Sequence, residues 1–145
     1  MIKIDINTDL EKYVLIDRVT ETNECEIQGS VTHQNAPLYT GLESLAQLAS
    51  MHVKWLHDFN KHTALLKING IDFKDINQLN GNFSITGKLT ARSGRAFTYS
   101  LQSAVNGDIK IEGSMIITLI DYDDKFKKEI LEENYKKLFL CLTKR

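Results

Sequence analysis

The spacing of apolar positions changes twice along the chain. From Tyr13 to Val19 and from Glu24 to Thr32, apolar and β-branched residues come in short runs. These runs predict two strands, with Glu21-Thr22-Asn23 as the turn between them. After a loop over His33 to Tyr39, the spacing becomes helical: Leu42, Leu45, Ala46, Ala49, Val53 and Leu56 follow i, i+3, i+4, i+7. Leu48 and Trp55 widen that stripe, so the helix is expected to be buried on much of its circumference. It ends near His57 to Phe59, before the polar Asn60-Lys61-His62.

Beyond this point the spacing returns to strands. Ala64 to Phe73 is one β-branched run, followed by Asn80-Gly81-Asn82 as a turn. Phe83 to Ala91 and Ala96 to Val105 are joined across Ser93-Gly94. Asn106-Gly107 is the strongest hairpin signal in the chain, and Asp108 to Ile120 is its return strand. Within that strand Lys110, Glu112 and Ser114 alternate with Ile109, Ile111 and Gly113, as on a sheet with one wet face. From about Asp124 to Leu142 a charged helix is expected, with Leu131, Tyr135, Leu138 and Leu142 on one stripe. The pattern predicts an α+β domain, one antiparallel sheet with one buried helix, over residues 1–145, with 124–142 as a C-terminal helical extension.

Composition narrows the class. The 145 residues are 42% hydrophobic and 26% charged, which excludes a disordered tail, a collagen-like repeat and a disulfide scaffold. A chain of this size buries roughly 70% of its unfolded surface without a metal or staple. Basic and acidic residues nearly balance, 18 against 19, and no basic run suggests nucleic acid. No stretch approaches the ~18 apolar residues of a membrane span. The start, Met1-Ile2-Lys3-Ile4-Asp5-Ile6, lacks the apolar core of a signal peptide. Cys25 and Cys141 form no cluster, which suits a reducing compartment. A cytoplasmic domain is the expectation.

Four local patterns carry a family resemblance. Tyr13-Val14-Leu15-Ile16-Asp17-Arg18-Val19 is an aliphatic run followed by Asp-Arg-Val. Pro37-Leu38-Tyr39-Thr40-Gly41-Leu42-Glu43-Ser44-Leu45-Ala46-Gln47 leads into the helix with Pro, Gly, Glu and Ala-Gln at a distinctive spacing. Leu66 to Phe73 contains Gly70-Ile71-Asp72, and Asn80-Gly81-Asn82 stands where a Pro-Gly-Asp is usual. Over residues 10–121 the chain resembles the β-hydroxyacyl-acyl carrier protein dehydratases of the hotdog fold. With Tyr39 and Trp55 it looks most like the dehydratases associated with aryl polyene clusters.

The resemblance implies an antiparallel sheet wrapped around one long central helix, acting as a homodimer or dimer-based oligomer. It implies dehydration of 3-hydroxyacyl thioesters carried on acyl carrier protein or coenzyme A, in fatty acid or polyene-type lipid biosynthesis, without cofactor or metal. By position, Glu43 is the acid/base and the Gly41 N–H receives the thioester carbonyl. Gln47, Pro37 and Tyr39 line the substrate site. A helix N-terminus suits that chemistry, because its oriented donors face developing enolate charge. The family's histidine lies in a Gly-His-Phe-Pro segment that this chain lacks; the corresponding offset falls on Gly29. His33 is the nearest histidine and the candidate base.

Other readings of the same residues stand beside these. A helix carboxylate that activates water would make the protein an acyl thioesterase without needing the histidine. An acyl-thioester binding protein without catalysis is a third reading. Thr40-Gly41-Leu42-Glu43 also has the spacing of a capping box. Lys88, Arg92 and Arg95 could meet an acidic carrier protein or be ordinary turn residues. His52, His57 and His62 recur every five residues, about 140° apart on a helix, and so share no metal-binding face.

Overall fold

The helical stretch is α1, Leu38–Leu56, and it lies across a sheet. The structure, a computed structural model, describes residues 14–122 and 128–144. Its strands are β1 (Arg18–Thr22), β2 (Glu26–Ala36), β3 (His62–Phe73), β4 (Leu79–Ser93), β5 (Ala96–Val105) and β6 (Asp108–Ile120). A second helix, α2, spans Lys128–Thr143. The six strands make one sheet in the order β1-β2-β4-β5-β6-β3, and every pairing is antiparallel. The chain thus leaves β2, runs through α1 and re-enters at the far edge as β3.

Period-two alternation decides which face meets the helix. Ile27 and Val31 of β2, Phe83 and Ile85 of β4, Phe97, Tyr99 and Leu101 of β5, and Ile111, Met115 and Ile117 of β6 are all buried. They close on Leu45, Leu48, Ala49 and Val53 of α1, each of which is fully enclosed. The apolar stripe read from the helical spacing is therefore the core-facing surface of α1. The helix from α2 adds Leu138 and Leu142 to the same core. At its end the Arg18 guanidinium donates to the Lys144 carbonyl, 3.3 Å away, which ties α2 to β1.

The hairpin read at Asn106-Gly107 is present, with φ of +52° and +82° at the two turn residues. Those left-handed values match the right-handed twist of β5 and β6. Elsewhere the structure moves boundaries. The segment His33 to Ala36 is strand, not loop, because β4 continues opposite it: His33 pairs with Gly81 and Ala36 with Leu79. Asn80-Gly81-Asn82 accordingly lies inside β4 instead of forming a turn. Its Gly81 takes a φ of +111°, and Asn80 Oδ1 accepts from the Asn35 N–H at 2.7 Å. Of the strand expected over Tyr13 to Val19, β1 begins at Arg18; residues 14–16 are not strand, the Asp17 N–H donates to the Ser30 carbonyl at 2.9 Å, and Tyr13 lies outside the described residues. The turn falls at Asn23, whose side-chain oxygen accepts from the N–H groups of Cys25 and Glu26. Of the predicted C-terminal helix, residues 124–127 lie outside the described residues.

Candidate functional site

Because β2 runs to Ala36, α1 starts directly after Pro37. That proline has φ −67° and ψ 156° and serves as the N-cap, with no side-chain capping bond. Proline suits this boundary because its φ is already set and it brings no N–H. Thr40 is then inside the first turn, and its N–H donates to the Pro37 carbonyl at 3.0 Å. The capping box spelled by Thr40 and Glu43 does not form, which leaves the Glu43 carboxylate uncommitted to the backbone.

Gly41 has a packing reason to be glycine. A Cβ there would lie 2.6 Å from Ile111 Cδ1 and 2.7 Å from Leu79 Cδ1. The helix start presses on the sheet at this residue. Pro37 and Tyr39 are exposed, Tyr39 at 63% of its surface. Glu43 is exposed as well.

Gln47 lies one turn beyond Glu43 and is half-buried. Its side-chain oxygen accepts from the Leu15 N–H at 2.8 Å, holding the segment before β1 against α1. Ser50 and Lys54 continue the row, so Glu43, Gln47, Ser50 and Lys54 form a polar stripe down the face of α1 opposite the sheet. Glu43 heads that stripe at the solvent end.

The lower part of the stripe borders a cleft of about 250 Å³. Gln47, Ser50 and Lys54 share its lining with Val14, Ile16, Met51 and Phe59. The opening residues of β3, His62 to Leu65, form another wall, and Tyr135 and Leu138 of α2 form the third. Phe59 reaches the cleft from a left-handed turn, with φ of +51° at Asp58 and +60° at Phe59. Its N–H donates to the Lys54 carbonyl at 2.7 Å and closes the end of α1.

Three side chains to which the sequence reading assigned no site role meet here. The Lys54 ammonium stands 3.6 Å from the centre of the Tyr135 ring. His62 stacks on that ring at 5.8 Å between centroids, and its Nδ1 lies 3.3 Å from the Tyr135 hydroxyl. Burial pushes the Lys54 pKa down to about 7. Burial, and secondarily the Lys54 charge, push His62 down to about 4. Burial raises the Tyr135 phenol to about 12. The cleft therefore holds one ionisable cation among neutral groups. The available signal was Lys54 itself, the one cation on a largely apolar helix, continuing the row of Glu43 and Gln47.

His33 is elsewhere. Its side chain is enclosed on the helix-facing side of β2, 5% exposed, with its ring edge-on to Phe83 at 5.2 Å. Among the described residues its Nε2 has no hydrogen-bond partner. Burial lowers its pKa, partly opposed by the Asp17 carboxylate. No hydrogen bond joins His33 to Glu43 within the protomer. The structure brings Gln47 to the cleft, leaves Glu43 exposed one helical turn before it and keeps His33 in the core.

The other histidines have structural partners. His52 Nε2 lies 2.6 Å from the Asn23 carbonyl, and its Nδ1 lies 2.6 Å from the Tyr99 hydroxyl. His57 Nδ1 meets the Val53 carbonyl at 2.8 Å. Of the turn cations, Arg95 contacts Asp121 at 3.3 Å, and Arg92 lies over the Phe97 ring at 4.7 Å. Among the described residues no helix is long and apolar enough to cross a membrane.

No family model and no curated protein sequence matches the chain. Solved structures do. The dehydratase heterocomplex ApeI:P from Xenorhabdus doucetiae aligns over 79% of this chain and 86% of its own, with a TM-score of 0.66 and 13% identity. A mutant thioesterase from Pseudomonas aeruginosa aligns over 78% and 86%, with a TM-score of 0.63 and 10% identity. A hypothetical thioesterase with coenzyme A from Streptococcus pneumoniae aligns over 72% and 88%, again at 0.63 and 10%.

Proposed function

The chain has the hotdog fold of these structures, and from that premise we propose that it processes acyl thioesters through Glu43, with dehydration of 3-hydroxyacyl thioesters as its reaction. The observation that carries this reading is the polar stripe on α1. An exposed carboxylate, free of any capping bond, heads a row whose lower half borders a largely apolar cleft. An acyl chain has a place to lie, and the polar end of the substrate falls beside the acid. In the reaction a base removes the proton α to the thioester carbonyl. The β-hydroxyl then leaves with a proton from Glu43, giving an enoyl thioester and water. His33 is the base in this reading. Its lowered pKa keeps the imidazole neutral, as proton abstraction requires, and its Nε2 is uncommitted.

The carrier, acyl carrier protein or coenzyme A, belongs to the same proposal, and so does a homodimer. Among the described residues, strand β3 is an edge of the sheet. It exposes Leu65, Leu66 and Ile68 at 43%, 60% and 40%. A long edge with exposed aliphatic side chains is a template for a second copy.

Hydrolysis is the second reading, and the enclosure of His33 in the core favours it. A carboxylate that activates water needs no histidine. The test is to incubate the protein with 3-hydroxyacyl and saturated acyl thioesters of acyl carrier protein, follow products by mass spectrometry, and repeat with Glu43→Gln. Enoyl product that disappears in the variant is the expected result. Free acid that disappears instead establishes hydrolysis. Turnover of neither, or turnover indifferent to Glu43→Gln, overturns the catalytic reading.

A further inference from the structure

Lys54 poses a problem that the thioester chemistry does not solve. An ammonium in an apolar cleft is costly unless it is paired. Here its one close contact is the face of Tyr135, and among the described residues no carboxylate or carbonyl meets its Nζ. A cation–π contact occupies one side of the ammonium and leaves hydrogen-bond donors pointing into the cleft. The charge is tolerated partly because it sits in the last turn of α1, where the helix dipole favours a cation.

We propose that the cleft is a binding site for an amphipathic monocarboxylate, whose carboxylate pairs with Lys54 while its hydrocarbon lies along Val14, Ile16, Met51 and Leu138. The chemistry of the lining selects this class. Among the described residues the cleft offers one cation and no second, so it neutralises one negative charge, and a phosphate dianion would be left half-compensated. His62 from β3 is neutral near pH 7, and Tyr135 from α2 keeps its proton. Residues 14–16 bring only Val14, Leu15 and Ile16, and the α1 neighbours Gln47 and Ser50 do not titrate. Apolar walls then reward a hydrocarbon body over a small anion such as acetate. This inference rests on the thioester reading only in sharing the cleft assigned there to the acyl chain; the pairing with Lys54 needs neither Glu43 nor a thioester bond.

Protonation gives the site a signature. In the free protein Lys54 titrates near pH 7. A bound carboxylate favours the charged amine and raises that value, so binding above neutrality takes up a proton. Affinity for the carboxylate must then fall as pH rises above about 7.

Titration calorimetry of the full chain with octanoate, against octan-1-ol as the uncharged control, tests this. We expect octanoate to bind with heats that depend on the ionisation enthalpy of the buffer at pH 8. We expect Lys54→Met to weaken octanoate about tenfold or more while leaving octanol unchanged. Thermal unfolding of the variant checks that it folds, and the buffer dependence on the native protein stands without any variant. Three results would each overturn the proposal: octanoate binding no better than octanol, binding without proton uptake, or no binding of either. The last result would mean that another segment or a second copy fills the cleft. The thioester assay with Glu43→Gln is read separately, so failure of either proposal is distinguishable from failure of the other.

Discussion

Gly41 lies against Ile111 so closely that a single methyl group at position 41 would come within 2.6 Å of the isoleucine Cδ1. The glycine at the head of α1 is thus demanded by helix-on-sheet packing, whatever its backbone N–H does for a substrate. Gly41→Ala sets two effects against each other. Helix propensity gains about 1 kcal/mol, while overpacking against Ile111 and Leu79 costs about 1–3 kcal/mol. Both neighbours are core side chains, so the expected result is net destabilisation, seen as a lower urea midpoint. Ile111→Val, which removes the nearer methyl, recovers part of the loss. A variant as stable as the native chain would show that α1 can lift off the sheet here.

The bond between His52 and Tyr99 fixes a tautomer. The Asn23 carbonyl can only accept, so His52 Nε2 carries the proton and Nδ1 accepts from the Tyr99 hydroxyl. Both side chains are fully buried. Tyr99→Phe leaves the imidazole nitrogen without its donor, and the expected cost is about 1–3 kcal/mol. A double-mutant cycle with His52→Leu reports the coupling directly. Additive losses in that cycle would mean that the two groups are satisfied independently.

The fold was legible where side chains face the core, and the site only in part. Helical spacing from Leu42 to Leu56 and the Asn106-Gly107 turn place α1 and the β5–β6 hairpin, because burial and left-handed backbone leave direct marks in residue type. The resemblance to the hotdog dehydratases implied one antiparallel sheet wrapped around the central helix, which no periodicity contains, while the strand order is visible only in the structure. The start of α1 lies sooner than the helical spacing shows, because the segment read as a loop, His33 to Tyr39, is strand as far as Ala36, paired with Leu79, and Pro37 then caps the helix. The cleft was illegible because Lys54, His62 and Tyr135 come from three elements, and only the tertiary fold brings them together.

Acid should weaken the fold gradually before carboxylates protonate. His33, His52 and His62 all have folded pKa values below the ordinary 6.5, each chiefly through burial, with His62 near 4. Between the folded and unfolded values the unfolded chain binds more protons, so stability falls as pH falls through that interval. Urea unfolding at intervals from pH 7 to pH 4 should show this slope, and His62→Gln should flatten its lower part. A flat profile down to about pH 5 would show that these rings reach solvent when charged.

The exposed aliphatic edge of β3 makes a prediction about assembly. Leu66 is 60% exposed in the protomer, so Leu66→Glu should leave the monomer's stability within about 0.5 kcal/mol. If β3 is the seam between copies, the same change puts like charges face to face and shifts sedimentation from dimer toward monomer. A native protein that sediments as a monomer at micromolar concentration would remove the seam altogether.

Lys54 gives the sharpest test of the cleft as a charged place in an apolar surround. Its folded pKa near 7 lies well below the ordinary 10.5. From about pH 7 upward to that unfolded value, the unfolded chain holds a proton that the folded chain has released. Stability therefore rises with pH across this window, the reverse of the alkaline weakening expected where a lysine is salt-bridged. Lys54→Met keeps the length of the stem and its contact with Tyr135 but removes the charge. At pH 7 it should stabilise the protein by about 1–3 kcal/mol, because no partner charge is stranded when the ammonium goes. The advantage should shrink as pH rises, since the native lysine is by then neutral. Urea unfolding of both proteins between pH 7 and pH 10 follows the difference. A variant less stable than the native chain at pH 7 would mean that the ammonium is already paired in the folded protein, and the cleft would lose its claim to an unpaired charge.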